Sequence, residues 1–164
     1  MKTKASQLVQ TKAAFRSPAH ITLHLPFLFN SKDESIIEES ISSQLLNQDP
    51  FFIQCNNFNH FGDKVIFVDV LTNESLNDLQ KKVILAMKKL QIFNQLESGF
   101  AFHPHFTIAF RDLNKEKFKI LWDYFSSKKI NDKFLVNQVH LLKFLNNKWI
   151  TVKKIRFNES IAAH

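Results

Sequence analysis

Glycine and cysteine are scarce in this chain of 164 residues, and each shortage excludes a class of site. The 2 glycines, Gly62 and Gly99, lie 37 positions apart. Loops that cradle phosphates need several glycines close together, so P-loop and Rossmann nucleotide sites are excluded. The single cysteine, Cys55, can form neither an internal disulfide nor a cysteine-based zinc site. We therefore expect a reducing compartment, with the cytoplasm as the default location.

Long apolar runs are also missing. No stretch reaches the roughly 18 residues of a membrane span, and the start, MKTKASQLVQTKAAF, lacks the apolar segment of a signal peptide. We expect one soluble domain over 1–164 without membrane association. Its 22 Lys and Arg stand against 15 Asp and Glu, a net charge of +7. This excess favours polyanionic partners such as RNA, although compositional drift can also produce it.

Hydrophobic periodicity predicts both helices and strands. The residue before Pro18 disfavours helical backbone, so a first helix should end there, and Asn146-Asn147 suits a tight hairpin turn. We predict four helices. The first covers 5–16, the second covers about 34–47 with a Ser31–Glu34 capping box, and the last covers 114–127 with Asn114 as its cap. The third is a long helix whose buried stripe is Leu76, Leu79, Val83, Met87 and Leu90. Strands are predicted over 20–25, 51–56, 64–71, 103–110, 133–145 and 148–157, with a polar loop over 57–63.

The pattern His-x-Thr-apolar occurs twice, as His20-Ile-Thr22-Leu and His105-Phe-Thr107-Ile, 85 residues apart. Both copies lie on predicted strands, where residues i and i+2 share one face. A neutral imidazole can take a proton while a protonated one gives a proton, and Thr hydroxyls can donate to phosphate oxygens. The set therefore favours phosphoester chemistry without a metal or other cofactor.

The chain resembles the two-histidine (2H) phosphoesterase superfamily, in its bacterial branch of 2′-5′ RNA ligases and cyclic phosphodiesterases. The resemblance rests on SPAHITLHLPF, KVIFVDV, FHPHFTIAFRDL and VHLLKFLNNKW, and covers about residues 8–157. It implies an α+β fold of two pseudo-symmetric lobes, in which two antiparallel sheets flank a central cleft and helices lie outside. It also implies hydrolysis or formation of 2′,3′-cyclic or 2′-5′ phosphodiesters of RNA or nucleotides. The resemblance makes His20 and His105 the acid and base, and Thr22 and Thr107 phosphate ligands.

Other residues are candidates for the surroundings of the site. Arg111 shares the parity of His105 and could reach a phosphate, or it could pair with Asp112 or Glu116. Phe61 and Phe27 could stack on a base. We expect His24 and His103 to lie at the rim. Family members usually begin with a hydrophobic strand, whereas only MKTK precedes the first predicted helix here. Either the chain starts late or that strand is absent, which could leave an exposed sheet edge.

Two other functions remain open at this point. The first is a module that binds RNA or a nucleotide in the same cleft without turnover, although such a binder has no need of two imidazoles that titrate near neutrality. The second is a metal hydrolase with ligands His20, His24, His103 and His105, but no carboxylate stands beside them in a ligand spacing. We expect a cytoplasmic, monomeric phosphoesterase that acts on RNA or nucleotides with a cyclic phosphate.

Overall fold

A computed structural model describes residues 1–30, 33–93 and 101–158. The described residues form helices and strands in the chain order α1, a short 3₁₀ helix, α2, β1, β2, α3, β3, α4, β4, β5 and β6. The helices are α1 Lys2–Val9, the 3₁₀ helix Ala13–Arg16, α2 Glu34–Gln44, α3 Glu74–Lys89 and α4 Lys115–Ser126. The strands are β1 Phe51–Phe61, β2 Val65–Val70, β3 His105–Phe110, β4 Lys133–Val136, β5 Gln138–Leu145 and β6 Lys148–Arg156.

The strands form two antiparallel sheets, which confirms the predicted α+β fold class. One sheet has four strands in the order β3-β2-β1-β4, and the other has two, β5-β6. The segment predicted as one strand over 133–145 divides at Asn137, because β4 pairs with β1 and β5 pairs with β6. Asn146 and Asn147 turn the β5–β6 hairpin with φ values of 49° and 62°, as predicted.

Each sheet contributes to its own apolar core. Ile53, Ile66 and Ile108 of the four-stranded sheet pack with α1 and with Leu121 and Phe125 of α4. Val139 and Ile155 of the two-stranded sheet belong to a second cluster, which α2 and α3 complete with Ile37, Ile41, Leu79, Val83 and Met87. The predicted buried stripe of α3 is confirmed for Leu76, Leu79, Val83 and Met87, whereas Leu90 is half-buried at the C-cap, just beyond the end of the helix.

The first predicted helix, 5–16, is wrong in its extent. α1 ends at Val9, and Gln10 adopts a left-handed conformation with φ 55°, so the chain turns before the 3₁₀ helix. The backbone N–H groups of Lys12 and Ala13 donate to the Asp112 carboxylate instead of continuing the helix. A contact with a residue distant in sequence thus decides where the helix ends.

The predicted strand 20–25 is also wrong. These residues belong to neither sheet, and the chain bends at Leu23 and His24. The segment lies between Pro18 and Pro26, and proline has no N–H to donate to a ladder. Alternating polarity can be satisfied by an extended segment that packs on a core, and Ile21 and Leu23 do pack there.

Two smaller predictions need correction. The predicted loop over 57–63 is mostly strand, because β1 continues to Phe61 and the hairpin turns at Gly62 with φ 52°. The predicted capping box of α2 is wrong, because Glu34 is the first residue of the helix and not the third, and the N-cap residue is Asp33, which makes no side-chain cap. Ser31 lies outside the described residues. No helix within the described ranges is long and apolar enough to cross a membrane.

Candidate active site

The two motif histidines are held in the same way. Nδ1 of His20 donates to the carbonyl oxygen of Pro18 at 2.8 Å, and Nδ1 of His105 donates to the carbonyl oxygen of His103 at 2.7 Å. A carbonyl oxygen can only accept, so both Nδ1 atoms carry the proton. In each neutral ring Nε2 is then the nitrogen that can accept a proton. Each ring therefore has Nε2 as its free acceptor nitrogen, which is the atom that a general base uses.

A small pocket brings parts of both motifs together. It is lined by His20 and Thr107, with walls from Lys2, Ala14, Ser17, Pro18 and Phe110. His20 comes from the irregular segment after the 3₁₀ helix and Thr107 from β3. A hydroxyl of the second motif thus shares a pocket with the imidazole of the first.

A bulge in β3 shapes the second motif. Phe67 pairs with Thr107 and Ile66 pairs with Ala109, so Ile108 is an extra residue opposite β2. His105 and Thr107 precede the bulge, whereas Ile108 and Ala109 are both buried in the core. A bulge redirects side chains and is frequent beside active sites.

The electrostatic surroundings favour neutral His105. Burial lowers the pKa of this imidazole, and the nearby charges of His103 and His20 lower it further. The His103 carbonyl and the Asp69 carboxylate act in the opposite direction without cancelling the shift. His105 is therefore unprotonated to a lower pH than an ordinary histidine.

The remaining predicted site residues occupy different places. Phe61 touches His105 edge to face, with ring centroids 5.2 Å apart. Arg111 lies beyond the end of β3 with φ 64°, and its guanidinium lies over the Phe110 ring at 5.2 Å. The bulge invalidates the parity argument for Arg111, because that argument assumed a regular strand. Thr22 is exposed and lies outside the pocket lining, whereas Phe27 packs edge to face on His24 at 5.5 Å.

Two further residues near the site, Asp69 and Lys2, were not predicted from the sequence. Asp69 pairs in register with His105 and accepts a hydrogen bond from Nε2 of His103 at 2.9 Å. Its signal is a lone carboxylate in the apolar strand VIFVDV. Lys2 lines the pocket and donates to the Ser17 carbonyl oxygen at 2.9 Å, and burial lowers the pKa of its ammonium group. Lysine near the start of a helix gives no sequence signal for this role.

His24 is anchored through Nδ1 like the motif histidines and differs in the surroundings of its Nε2. Its Nδ1 donates to the Leu25 carbonyl oxygen at 2.8 Å, and its Nε2 is buried with no hydrogen-bond partner among the described residues. Within the same ranges, no three His, Cys, Asp or Glu side chains form a group that could hold a metal ion.

The chain is similar in fold to several solved structures. TT0787 of Thermus thermophilus is 10% identical with a TM-score of 0.61, over 96% of this chain and 93% of that one. A protein described as a phosphoesterase is 14% identical with a TM-score of 0.62, over 86% and 78%. E. coli LigT complexed with 3′-AMP is 15% identical with a TM-score of 0.66, over 96% and 87%.

The comparison with sequence families is more specific. No curated protein sequence matches the chain. The model of the 2′-5′ RNA ligase superfamily matches residues 4–148, which include both His-x-Thr motifs. The chain therefore belongs to the 2′-5′ RNA ligase superfamily.

Proposed function

We propose that this protein is a metal-independent phosphoesterase. It hydrolyses, or reversibly forms, 2′,3′-cyclic or 2′-5′ phosphodiesters of RNA ends or small nucleotides. His20 and His105 are its acid and base, and Thr22 and Thr107 hold the phosphate. In this proposal residues 1–164 form one domain of two lobes around the cleft, and the protein works as a cytoplasmic monomer.

The repeated motif, together with the pocket that joins its two copies, carries this proposal. Both rings donate from Nδ1 to a carbonyl two residues earlier, so both offer Nε2 for proton exchange. Thr107 stands beside His20 in one pocket, where its hydroxyl can donate to a nonbridging phosphate oxygen. His24 and His60 also donate from Nδ1 to nearby carbonyl oxygens, so the motif histidines are distinguished by the repeated motif and by the pocket that joins its two copies.

The proton balance of hydrolysis follows from the environment of His105. Its lowered pKa favours the neutral ring, so His105 Nε2 takes a proton from the attacking water as the new P–O bond forms. Protonated His20 gives a proton to the leaving ribose oxygen as the old P–O bond breaks. His105 then releases its extra proton to solvent and His20 takes one up, which restores the starting state.

The similar structure of E. coli LigT supports the substrate class. That protein was crystallised with 3′-AMP. A 3′-phosphomonoester is the product expected when water opens a 2′,3′-cyclic phosphate at its 2′ oxygen. We propose that this chain accepts ligands of the same chemistry in the cleft beside His20 and Thr107.

A substrate screen tests the function directly. The purified protein is assayed in chelator with 2′,3′-cyclic nucleotides, RNA with cyclic ends and 2′-5′-linked dinucleotides. We expect turnover of at least one of them, and a loss of kcat/KM of about 10² to 10⁴ for His20→Ala or His105→Ala, the usual contribution of an acid or base. Thr107→Ala should lose less.

His140→Ala is the matched control, since His140 is exposed on β5, where it pairs in register with Lys154 and contacts Thr151. It should keep turnover within about twofold, because a surface substitution rarely disturbs the rest of a fold. Near-normal turnover by His105→Ala would contradict the assignment of the base. Tight binding of every compound without turnover would instead identify a binding module.

A further inference from the structure

The two motifs differ at the residue that anchors each histidine. Pro18 supplies the carbonyl for His20, and His103 supplies it for His105. Proline offers no polar side chain, whereas His103 carries a second imidazole beside the first. The ring centroids of His103 and His105 are 6.2 Å apart. The second half of the site therefore has an ionisable neighbour at a position where the first half has none.

A hydrogen bond fixes the side chain of His103 to Asp69, which lies on β2. Its Nε2 donates to Oδ1 of Asp69 at 2.9 Å, and the exposed fractions of the two side chains are 45% and 21%. Asp69 is itself held, because it accepts from the Val70 N–H at 3.1 Å and from Nδ2 of Asn59 at 3.2 Å. The carbonyl that His105 uses thus belongs to a residue tied to the neighbouring strand.

Asp69 and His105 also face each other directly. They are register partners across β2 and β3, so their side chains leave the same face of the sheet. Phe61 contacts both imidazoles edge to face, at 5.3 Å for His103 and 5.2 Å for His105. Among the described residues, the ionisable side chains that act on the pKa of His105 are His103, Asp69 and His20. Lys2 lies in the wall of the pocket that His20 lines.

We propose that His103 and Asp69 are positioning residues, which together orient His105 and set the pH range in which it transfers a proton. The inference rests on the proposed function of His105. The Asp69 carboxylate anchors His103, the His103 carbonyl fixes the Nδ1–H tautomer of His105, and the two side chains place opposite charges beside the reacting ring. Neither residue touches the reacting atoms.

Charge-removing substitutions of the pair have opposite consequences. His103 lowers the pKa of His105, so His103→Gln should raise it. Asp69 raises that pKa, so Asp69→Asn should lower it. Each change should be about half a pH unit or more, below the full effect of a buried charge at 4–6 Å because the pair is partly exposed. The double variant should lie between the two single variants.

The test follows the His105 Cε1–H resonance by NMR from pH 4.5 to 9 in the wild-type protein, both single variants and the double variant. His140→Gln is the control, and it should leave His105 unchanged. Opposite shifts in the two single variants support the proposal. Shifts in the same direction, or none above about 0.2 pH unit, overturn it, since a loss of packing alone would not change sign with the charge removed.

Enzyme kinetics separate this proposal from the proposed function. The pH limb of kcat/KM that belongs to His105 should move with the NMR titration, up in His103→Gln and down in Asp69→Asn. If the NMR titration of His105 moves in the variants while this limb of the kcat/KM profile stays fixed, the role in proton transfer is overturned. If the wild-type protein turns over no substrate, the proposed function fails, and the NMR shifts still decide whether the pair controls His105.

Discussion

At the scale of single residues, Asp112 connects the start of the chain to the end of β3. Its carboxylate accepts hydrogen bonds from the Thr11 hydroxyl, from the Lys12 N–H at 2.7 Å and from the Ala13 N–H at 3.1 Å. Burial would raise the pKa of Asp112, but these hydrogen bonds outweigh it and lower the pKa. The segment that Asp112 fixes leads directly to the walls of the His20 pocket.

We predict that Asp112→Asn lowers the free energy of unfolding by about 1 to 3 kcal/mol at pH 7, because the buried Thr11 hydroxyl and two backbone donors lose a charged acceptor. The contribution of Asp112 is present above the ordinary Asp pKa of about 3.9 and is lost as the pH falls through its lower folded value. Urea denaturation at a series of pH values measures both effects.

The control for this prediction is Asp123→Asn. Asp123 pairs with Lys119 at 2.7 Å on the surface of α4, where both side chains are exposed. Such a pair is usually worth less than about 1 kcal/mol. Equal losses in the two variants, or a loss in Asp112→Asn that persists below both pKa values, would contradict the role given to Asp112.

The candidate site residues differ in whether nearby sequence is enough to predict their role. His20 and His105 were predicted because the repeated motif is visible without any structure, and their orientation toward carbonyls follows from local backbone. Asp69 lies 36 positions from His105, and only the pairing of β2 with β3 brings the two together. A carboxylate in an apolar strand indicates a special role, but its partner is set by strand register.

At the scale of elements, the helices α3 and α4 and the β5–β6 hairpin follow from local signals. Asn114 caps α4 as predicted, accepting from the Lys117 N–H at 2.8 Å. The failures have non-local causes. The first helix ends early because the Asp112 carboxylate accepts hydrogen bonds from backbone N–H groups that follow it. The strand predicted over 133–145 divides because its halves pair in different sheets.

The caps of the two long helices give a matched pair of predictions. Asn114→Ala should cost about 0.5 to 2 kcal/mol of unfolding free energy. Asn73→Ala should cost more, because Asn73 accepts from the Leu76 N–H at 2.8 Å and also donates to the Phe52 carbonyl oxygen at 3.0 Å. Equilibrium urea denaturation measures both.

Ser75→Ala provides the control for the caps, since Ser75 is exposed in the first turn of α3. Its stability should change by less than about 0.5 kcal/mol. If Asn73→Ala were no more destabilising than Asn114→Ala, the hydrogen bond to β1 would contribute nothing.

At the scale of the whole molecule, the 22 Lys and Arg residues outnumber the 15 Asp and Glu residues, which gives a net charge of +7. Some lysines have a structural role: Lys143 and Lys153 pair with Glu34 and Glu38, with the first pair at 2.6 Å, and join α2 to the two-stranded sheet. The surplus of positive charge should attract the phosphates of RNA.

We predict that affinity for a single-stranded RNA with a cyclic end falls by about tenfold or more between 50 and 200 mM salt, as expected for contacts to about three phosphates. Affinity for the matching cyclic mononucleotide should fall much less, since it carries one phosphate. Fluorescence anisotropy and calorimetry measure the two. Equal salt dependence would show that the charge excess contributes nothing to RNA binding.

The two halves of the site are built with unequal rigidity. His105 and Thr107 lie on β3, whose backbone is paired with β2, whereas His20 and Thr22 lie on a bent segment outside both sheets. The second motif is preorganised, so a ligand binds there with little loss of conformational entropy. The first motif has no such backbone pairing and is held by the His20 hydrogen bond and by the packing of Ile21 and Leu23. We therefore expect a substrate large enough to contact residues 20–25 to order this segment further and to gain more from binding than a bare phosphate.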